Sequence, residues 1–214
     1  MPAVTFLEFR LANLMRQRLP IIRTFPRFLL AAVVLCLLSA PLISTNSPNF
    51  ATDLQGRPLD PFRVARGKVV VLIFVRTDCP ISNRYAPVLQ HISAQYRGAA
   101  SFFLVYPSKR ETADLIRKHD QQFGFGARFT ALRDPQHILV KQSQAQITPE
   151  TAVFDANQQL VYHGRIDNLY EDFSHSRGTA TTHELADAIE AATAGKSGAS
   201  KSTPAVGCYI SDLE

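Results

Sequence analysis

Hydrophobic and polar positions change rhythm several times along this chain, and each change predicts an element. Residues 28–43, FLLAAVVLCLLSAPLI, run without a charge behind a cluster of arginines and ahead of the polar STNSPN. A basic flank, an apolar stretch and a polar exit are the order of a signal peptide or signal anchor, so residues 1–45 are expected to target or tether the chain. The run is short of the roughly 20 residues of a relaxed membrane span, so the sequence leaves cleavage open. Residues 53–60, DLQGRPLD, read as a short strand and turn, and residues 68–75, KVVVLIFV, as an unbroken β-branched strand covered on both faces. Beyond Cys79 the spacing shifts to threes and fours through Ile81, Tyr85, Val88, Leu89 and Ile92, which predicts one helix to about Tyr96.

A strand over 101–107, a helix in ETADLIRKHDQQF and a short strand in FTALRD come next, then a helix from Pro135 towards Gln144. Residues 151–154 and 160–166 form two strands joined by the turn-forming DANQ. Residues 182–193 form a last amphipathic helix with Leu185, Ala188, Ile189 and Ala192 on one face. Strands alternating with helices and closing on a hairpin predict an α/β mixed sheet flanked by helices, one domain over residues 46–194. Residues 195–214 open as a flexible Gly/Ser/Lys stretch and end in a small apolar knot around Cys208.

Charge changes the picture little. Of the formal +5, residues 1–45 hold five arginines against Glu8 alone, so nearly all the excess sits in the targeting segment. The domain itself has no basic face for nucleic acid. By the positive-inside rule the domain is extracytoplasmic, periplasmic or membrane-anchored and facing outward, where disulfides persist. Cys36 lies inside the apolar run, which leaves Cys79 and Cys208 for the exported domain.

Cys79 stands just past the central strand, at the sheet edge where α/β proteins gather their chemistry, and at the start of the next helix. The helix dipole and free N–H groups there favour a solvent-accessible thiolate. Arg76 and Arg84 add to this, while the adjacent Asp78 opposes them or caps the helix.

The segment CPISNRYAP resembles the active-site segment of the thioredoxin-like superfamily. Cys79 matches the first cysteine of that motif and Pro87 its kink proline, and Ser82 stands where the second cysteine would be. Thr148-Pro149, ahead of TAVFDANQQLVYHGRID, is similar to the family's cis proline and following hairpin. The resemblance implies a thioredoxin-like fold and a partner groove shaped by Thr148 and Pro149. The pairing of a CPxS site with a terminal GC, here AVGCYI, resembles the redoxin or peroxiredoxin-like (AhpC/TSA-related) branch. True peroxiredoxins carry a threonine three residues before their cysteine and a proline seven before it. Here those positions are Arg76 and Leu72, with Thr77 one residue out of place.

A one-cysteine site needs a second sulfur from elsewhere. The stretch from Gly195 to Cys208 could extend roughly 43–47 Å, enough for Cys208 to reach Cys79 and resolve an oxidised or mixed-disulfide form of it. Gly207 would let the backbone come close. The expected activity is a thiol-disulfide oxidoreductase or peroxiredoxin-like antioxidant, with Cys79, Cys208, Ser82 and Thr77 in the site and no cofactor or resident metal. Its partners would be a protein thiol or disulfide or a small peroxide, an external reductant, and a membrane through the N-terminal segment. Two alternatives stay open: Cu(I) held by Cys79, Cys208 and a histidine, and a thioredoxin fold that binds partners without catalysis. The six histidines show none of the short spacings of metal sites.

Overall fold

The computed structural model describes residues 50–196 and 201–211. The expected targeting segment, 1–45, lies outside them. No helix among the described residues is long and apolar enough to cross a membrane.

Near the start of the described residues the Asp53 carboxylate gathers the N–H groups of Gln55 and Arg57, where the sequence suggested a strand and turn. Thr52 makes only isolated bridges, to Pro58 and Arg133. Next comes a short helix that the pattern did not predict, α1 (Pro61–Ala65), capped by Asp60 through the N–H groups of Phe62 and Arg63. Strand β1 (Val69–Phe74) is buried throughout, as its unbroken apolar run predicted. The single helix expected after it is two: α2 (Pro80–Arg84) and α3 (Ala86–Tyr96), meeting at Tyr85. Pro87 has no N–H to offer the carbonyl of Asn83, and the helix breaks where that hydrogen bond would be.

Strand β2 (Ala100–Tyr106), helix α4 (Ala113–Phe123), a 3₁₀ turn at Gly126–Arg128 and strand β3 (Phe129–Arg133) follow. Helix α5 (Ile138–Ser143) starts three residues later than Pro135 suggested. The Asp134 carboxylate accepts from the N–H groups of Ile138 and Val140 and so sets the start. Strands β4 (Ile147–Thr148), β5 (Glu150–Phe154) and β6 (Leu160–Gly164) precede helix α6 (Glu184–Thr193). The tail then contributes β7 (Lys201–Thr203), where the sequence suggested a flexible stretch, and β8 (Cys208–Tyr209), within the apolar knot it placed around Cys208.

The main sheet has the order β3-β2-β1-β5-β6-β7. β1, β2 and β3 run parallel to one another, β5 lies antiparallel between β1 and β6, and β7 pairs parallel with β6. Alternate residues of β1 serve two cores. Val69, Val71 and Ile73 pack with Leu89 and Ile92 of α3 and Leu185 and Ile189 of α6. Val70, Leu72 and Phe74 pack with Phe62 of α1 and Leu139 and Val140 of α5. Helices therefore cover both faces, and the carboxyl end of β1 is held rigidly between them.

The tail docks because two glycines make room for it. Gly164 ends β6 at φ +144, and a Cβ on it would stand 2.3 Å from the carbonyl oxygen of Thr203. Gly207 lies against Thr148 in the same manner, with 2.1 Å between a built Cβ and the Thr148 oxygen. β8 pairs antiparallel with β4, Ile147 opposite Tyr209 and Thr148 opposite Cys208.

Candidate active site

The site grows from the last residues of β1. Val75 still bonds to the carbonyl of Val105, at 3.0 Å, and the chain then turns through Arg76, Thr77 and Asp78. Cys79 is the N-cap of α2, and its carbonyl accepts from the N–H of Asn83 at 3.1 Å. Asp78 does not cap the helix: it forms an exposed ion pair with Arg76 at 2.7 Å.

Two neighbours crowd the sulfur of Cys79. The carbonyl oxygen of Thr148, the residue before cis Pro149, lies 3.0 Å away and accepts from the protonated thiol. The thiol of Cys208 lies 3.0 Å away on the other side and donates to it. Both cysteines are free. The Thr148 hydroxyl, in turn, donates to the carbonyl of Cys208 at 3.2 Å.

These contacts set the two sulfurs apart. Burial works against ionisation of Cys79, but the Cys208 thiol and the side-chain and backbone donors of Ser82 outweigh it and hold its pKa below the ordinary thiol value. The Ser82 hydroxyl is buried and makes no hydrogen bond among the described residues, which leaves it free to turn to the sulfur. Cys208 moves the other way, pushed up to about 12 by burial, by its own donation to Cys79 and by the charge there. Of the two sulfurs, Cys79 is therefore the easier to ionise and Cys208 the one that keeps its proton. The sequence credited the lowered pKa to the helix start; the structure keeps Cys79 there, at the N-cap of α2, and adds these donors.

The sequence also expected Cys79 to face solvent. It is 0% exposed. What covers it includes the tail: Cys208 and the strand around it lie over the sulfur, and Cys208 itself is only half-buried.

Sequence reading missed the groups that brace this loop. Glu111, almost wholly buried, accepts from the Thr77 N–H at 2.6 Å, and burial raises its pKa. Asn83 donates to the Thr77 carbonyl at 3.1 Å and bonds through its own oxygen to His119 Nε2 at 2.8 Å. His119 Nδ1 lies 2.9 Å from the Tyr106 hydroxyl. A neutral ring protonated on Nε2 satisfies the whole chain, and burial lowers the His119 pKa to about 4. Thr77 is therefore tied into the loop's scaffold through Glu111 and Asn83, with no hydrogen bond to either sulfur. Below the site, Tyr85 donates to Asp167 at 2.5 Å and anchors the junction of α2 and α3. Nothing in the local pattern around Glu111 or His119 marks them, because their partners lie on other elements.

No group of three or more His, Cys, Asp or Glu side chains among the described residues could hold a metal ion. The two sulfurs have no histidine beside them to complete the copper site that the sequence left open.

No protein-family description matches the sequence, and no curated protein does either. Solved structures do. A hypothetical protein of Sinorhizobium meliloti superposes with a TM-score of 0.63 at 22% identity, over 75% of this chain and 89% of that one. An uncharacterized conserved protein of Geobacillus kaustophilus does so with a TM-score of 0.63 at 22% identity, over 75% and 87%. The dsbF protein of MTB, solved in mixed oxidized and reduced forms, gives 0.50 at 19% identity, over 67% and 94%. With the mixed sheet, the flanking helices and the cis proline facing Cys79, this likeness establishes a thioredoxin-like fold.

Proposed function

We propose that this chain is an extracytoplasmic thiol-disulfide oxidoreductase of the redoxin type, with Cys79 as nucleophile and Cys208 as resolving cysteine. One observation carries the reading: two free sulfurs 3.0 Å apart, one favouring the thiolate and the other holding its proton. The Cys79 thiolate attacks a sulfur of a partner disulfide; the mixed disulfide forms, and the departing thiolate takes up a proton. Cys208 then loses its proton and attacks Cys79, releasing the partner as a second thiol and leaving a Cys79–Cys208 disulfide. The sulfurs need to close by only about 1 Å to bond. An external dithiol resets the pair.

Timing follows from the same contact. While Cys79 is ionised, its charge keeps the proton on Cys208. Once Cys79 is bonded to a partner, that charge is gone and Arg76 favours the Cys208 thiolate. Ser82 steadies the ionised Cys79, Thr148 and Pro149 shape the partner groove, and Thr77 holds the loop. A small peroxide would be met by the same pair: the Cys79 thiolate takes one oxygen and becomes a sulfenic acid while the rest of the peroxide leaves as an alcohol or water, and Cys208 then condenses with the sulfenic acid to the disulfide, releasing water. The arginine-flanked apolar segment of residues 1–45 supports export and a tether to the membrane.

The test is mild oxidation of the purified chain followed by peptide mapping and a disulfide-reductase assay. A Cys79–Cys208 linkage and loss of turnover in Cys79→Ser are expected. Turnover that survives Cys79→Ser would end this reading.

A further inference from the structure

The tail does more than deliver a thiol. β4 is a two-residue strand, and among the described residues β8 forms its only sheet pairing. Around that pairing Ile210 donates its N–H to the carbonyl of Gln146 at 2.9 Å, and the Thr148 hydroxyl donates to the carbonyl of Cys208. Side chains alternate as in any strand: Cys208 turns in to Cys79, Tyr209 is 75% exposed, and Ile210 is buried among the residues of α1 and α5. Backbone pairing fixes the register, and the register puts a sulfur on Cys79.

The position before that sulfur is the restrictive one. A Cβ at residue 207 would lie 2.1 Å from the Thr148 oxygen and 2.7 Å from its carbonyl carbon. These are backbone atoms next to the cis peptide, with no flexible end to swing aside. Gly207 does not have a positive φ, so glycine is required here for room and not for conformation. Any extended segment that brings a cysteine to Cys79 along this edge meets the same wall one residue earlier.

We propose that the Ile147–Thr148 edge reads an extended partner segment with glycine immediately before its reacting cysteine, the chain's own tail being a built-in competitor that such a partner displaces. This rests on Cys79 as nucleophile and adds to it a sequence rule for the partner: Gly-Cys in an extended stretch, with its cysteine in a disulfide. Selection works by exclusion, since a side chain before the cysteine collides with Thr148. The docked tail lowers the fraction of molecules open to a partner, so apparent partner affinity falls by that fraction.

The experiment uses the full chain in two forms. Cys208→Ser keeps the tail docked and removes the resolving thiol. Gly207→Val with Cys208→Ser also undocks the tail, and Gly207→Ala with Cys208→Ser is the milder version should the valine chain not fold. The probes are the hexapeptides Ala-Val-Gly-Cys-Tyr-Ile and Ala-Val-Ala-Cys-Tyr-Ile, each as a mixed disulfide with thionitrobenzoate. The Cys79 thiolate attacks the peptide sulfur, forms a Cys79–peptide disulfide and releases coloured thionitrobenzoate, so rate and adduct mass are both read.

With the tail undocked, the glycine peptide is expected to react about tenfold faster than the alanine peptide. With the tail docked, the glycine peptide is expected to slow about tenfold. Equal rates for the two peptides overturn the sequence rule, and equal rates with and without a docked tail overturn the competition. Iodoacetamide provides the separate check. Cys79 that resists it even with the tail undocked, while labelling fully in urea, sinks the nucleophile assignment and the proposal with it; brisk alkylation with no peptide preference sinks the proposal alone.

Discussion

Replacing His119 with phenylalanine isolates how the scaffold behind the active-site loop responds to acid. The ring is 4% exposed and lies 4.8 Å from the ring of Phe123 and 5.6 Å from that of Phe125, so phenylalanine suits its surroundings. In the folded chain burial lowers its pKa to about 4, against an ordinary 6.5. Between those two values the unfolded chain binds a proton that the folded chain refuses. Stability is therefore full above about pH 6.5 and is lost as pH falls toward 4. At 1.36 kcal/mol per pH unit, the interval from 6.5 to about 4 amounts to about 3 kcal/mol. His119→Phe removes this group's dependence. It also leaves the Tyr106 hydroxyl and the Asn83 side-chain oxygen without their His119 partner, a penalty that does not vary with pH and so shifts the curve without tilting it. Urea unfolding followed by circular dichroism, at neutral pH and again near pH 4, should show the parent losing about 3 kcal/mol more than the variant over that interval. Parallel curves for the two proteins would refute a neutral, buried His119 as the support of Asn83 and the Thr77 loop.

Two further outcomes follow from the same scaffold and from the tail. Glu111→Ala strands the Thr77 N–H and should cost about 1–3 kcal/mol in thermal or urea unfolding. Glu111→Gln keeps the acceptor and removes a charge that burial disfavours, so it should melt no lower than the parent; a large loss there would mean that the charge itself holds the loop. Gly164→Ala drives a Cβ into Thr203, so β7 should lose its pairing and the Cys79–Cys208 disulfide should form more slowly under mild oxidation. Unchanged kinetics, followed by mass spectrometry, would show that β7 plays no part in presenting Cys208.

Most of the sheet was legible because its signals are local. The unbroken apolar run of β1, the three-and-four spacing that became α3 and the hairpin of β5 and β6 each lie within one stretch of chain. Cys79 and Thr148-Pro149 were readable as well, since short motifs carry them. What escaped depends on distant partners. Glu111, His119 and Asp134 look like ordinary polar residues until the fold closes over them. The tail misled in the opposite sense: its Gly, Ser and Lys content reads as mobile chain, whereas Gly164 and Gly207 turn parts of it into strands. The helix start was legible beside Cys79, whereas the second thiol that donates to it arrives from the far end of the sequence and leaves no local mark.

A sulfur that no solvent touches also ages differently. Exposed thiolates in oxidising surroundings drift past the reversible stages to sulfinic and sulfonic acids, from which few cells can recover them. Cys79 is roofed by the one group able to trap its first oxidised form as a disulfide. The fold thereby trades quick encounter for durability, because a sulfur closed off from solvent and set beside a second thiol meets oxidants seldom and is held at a reversible stage when it does.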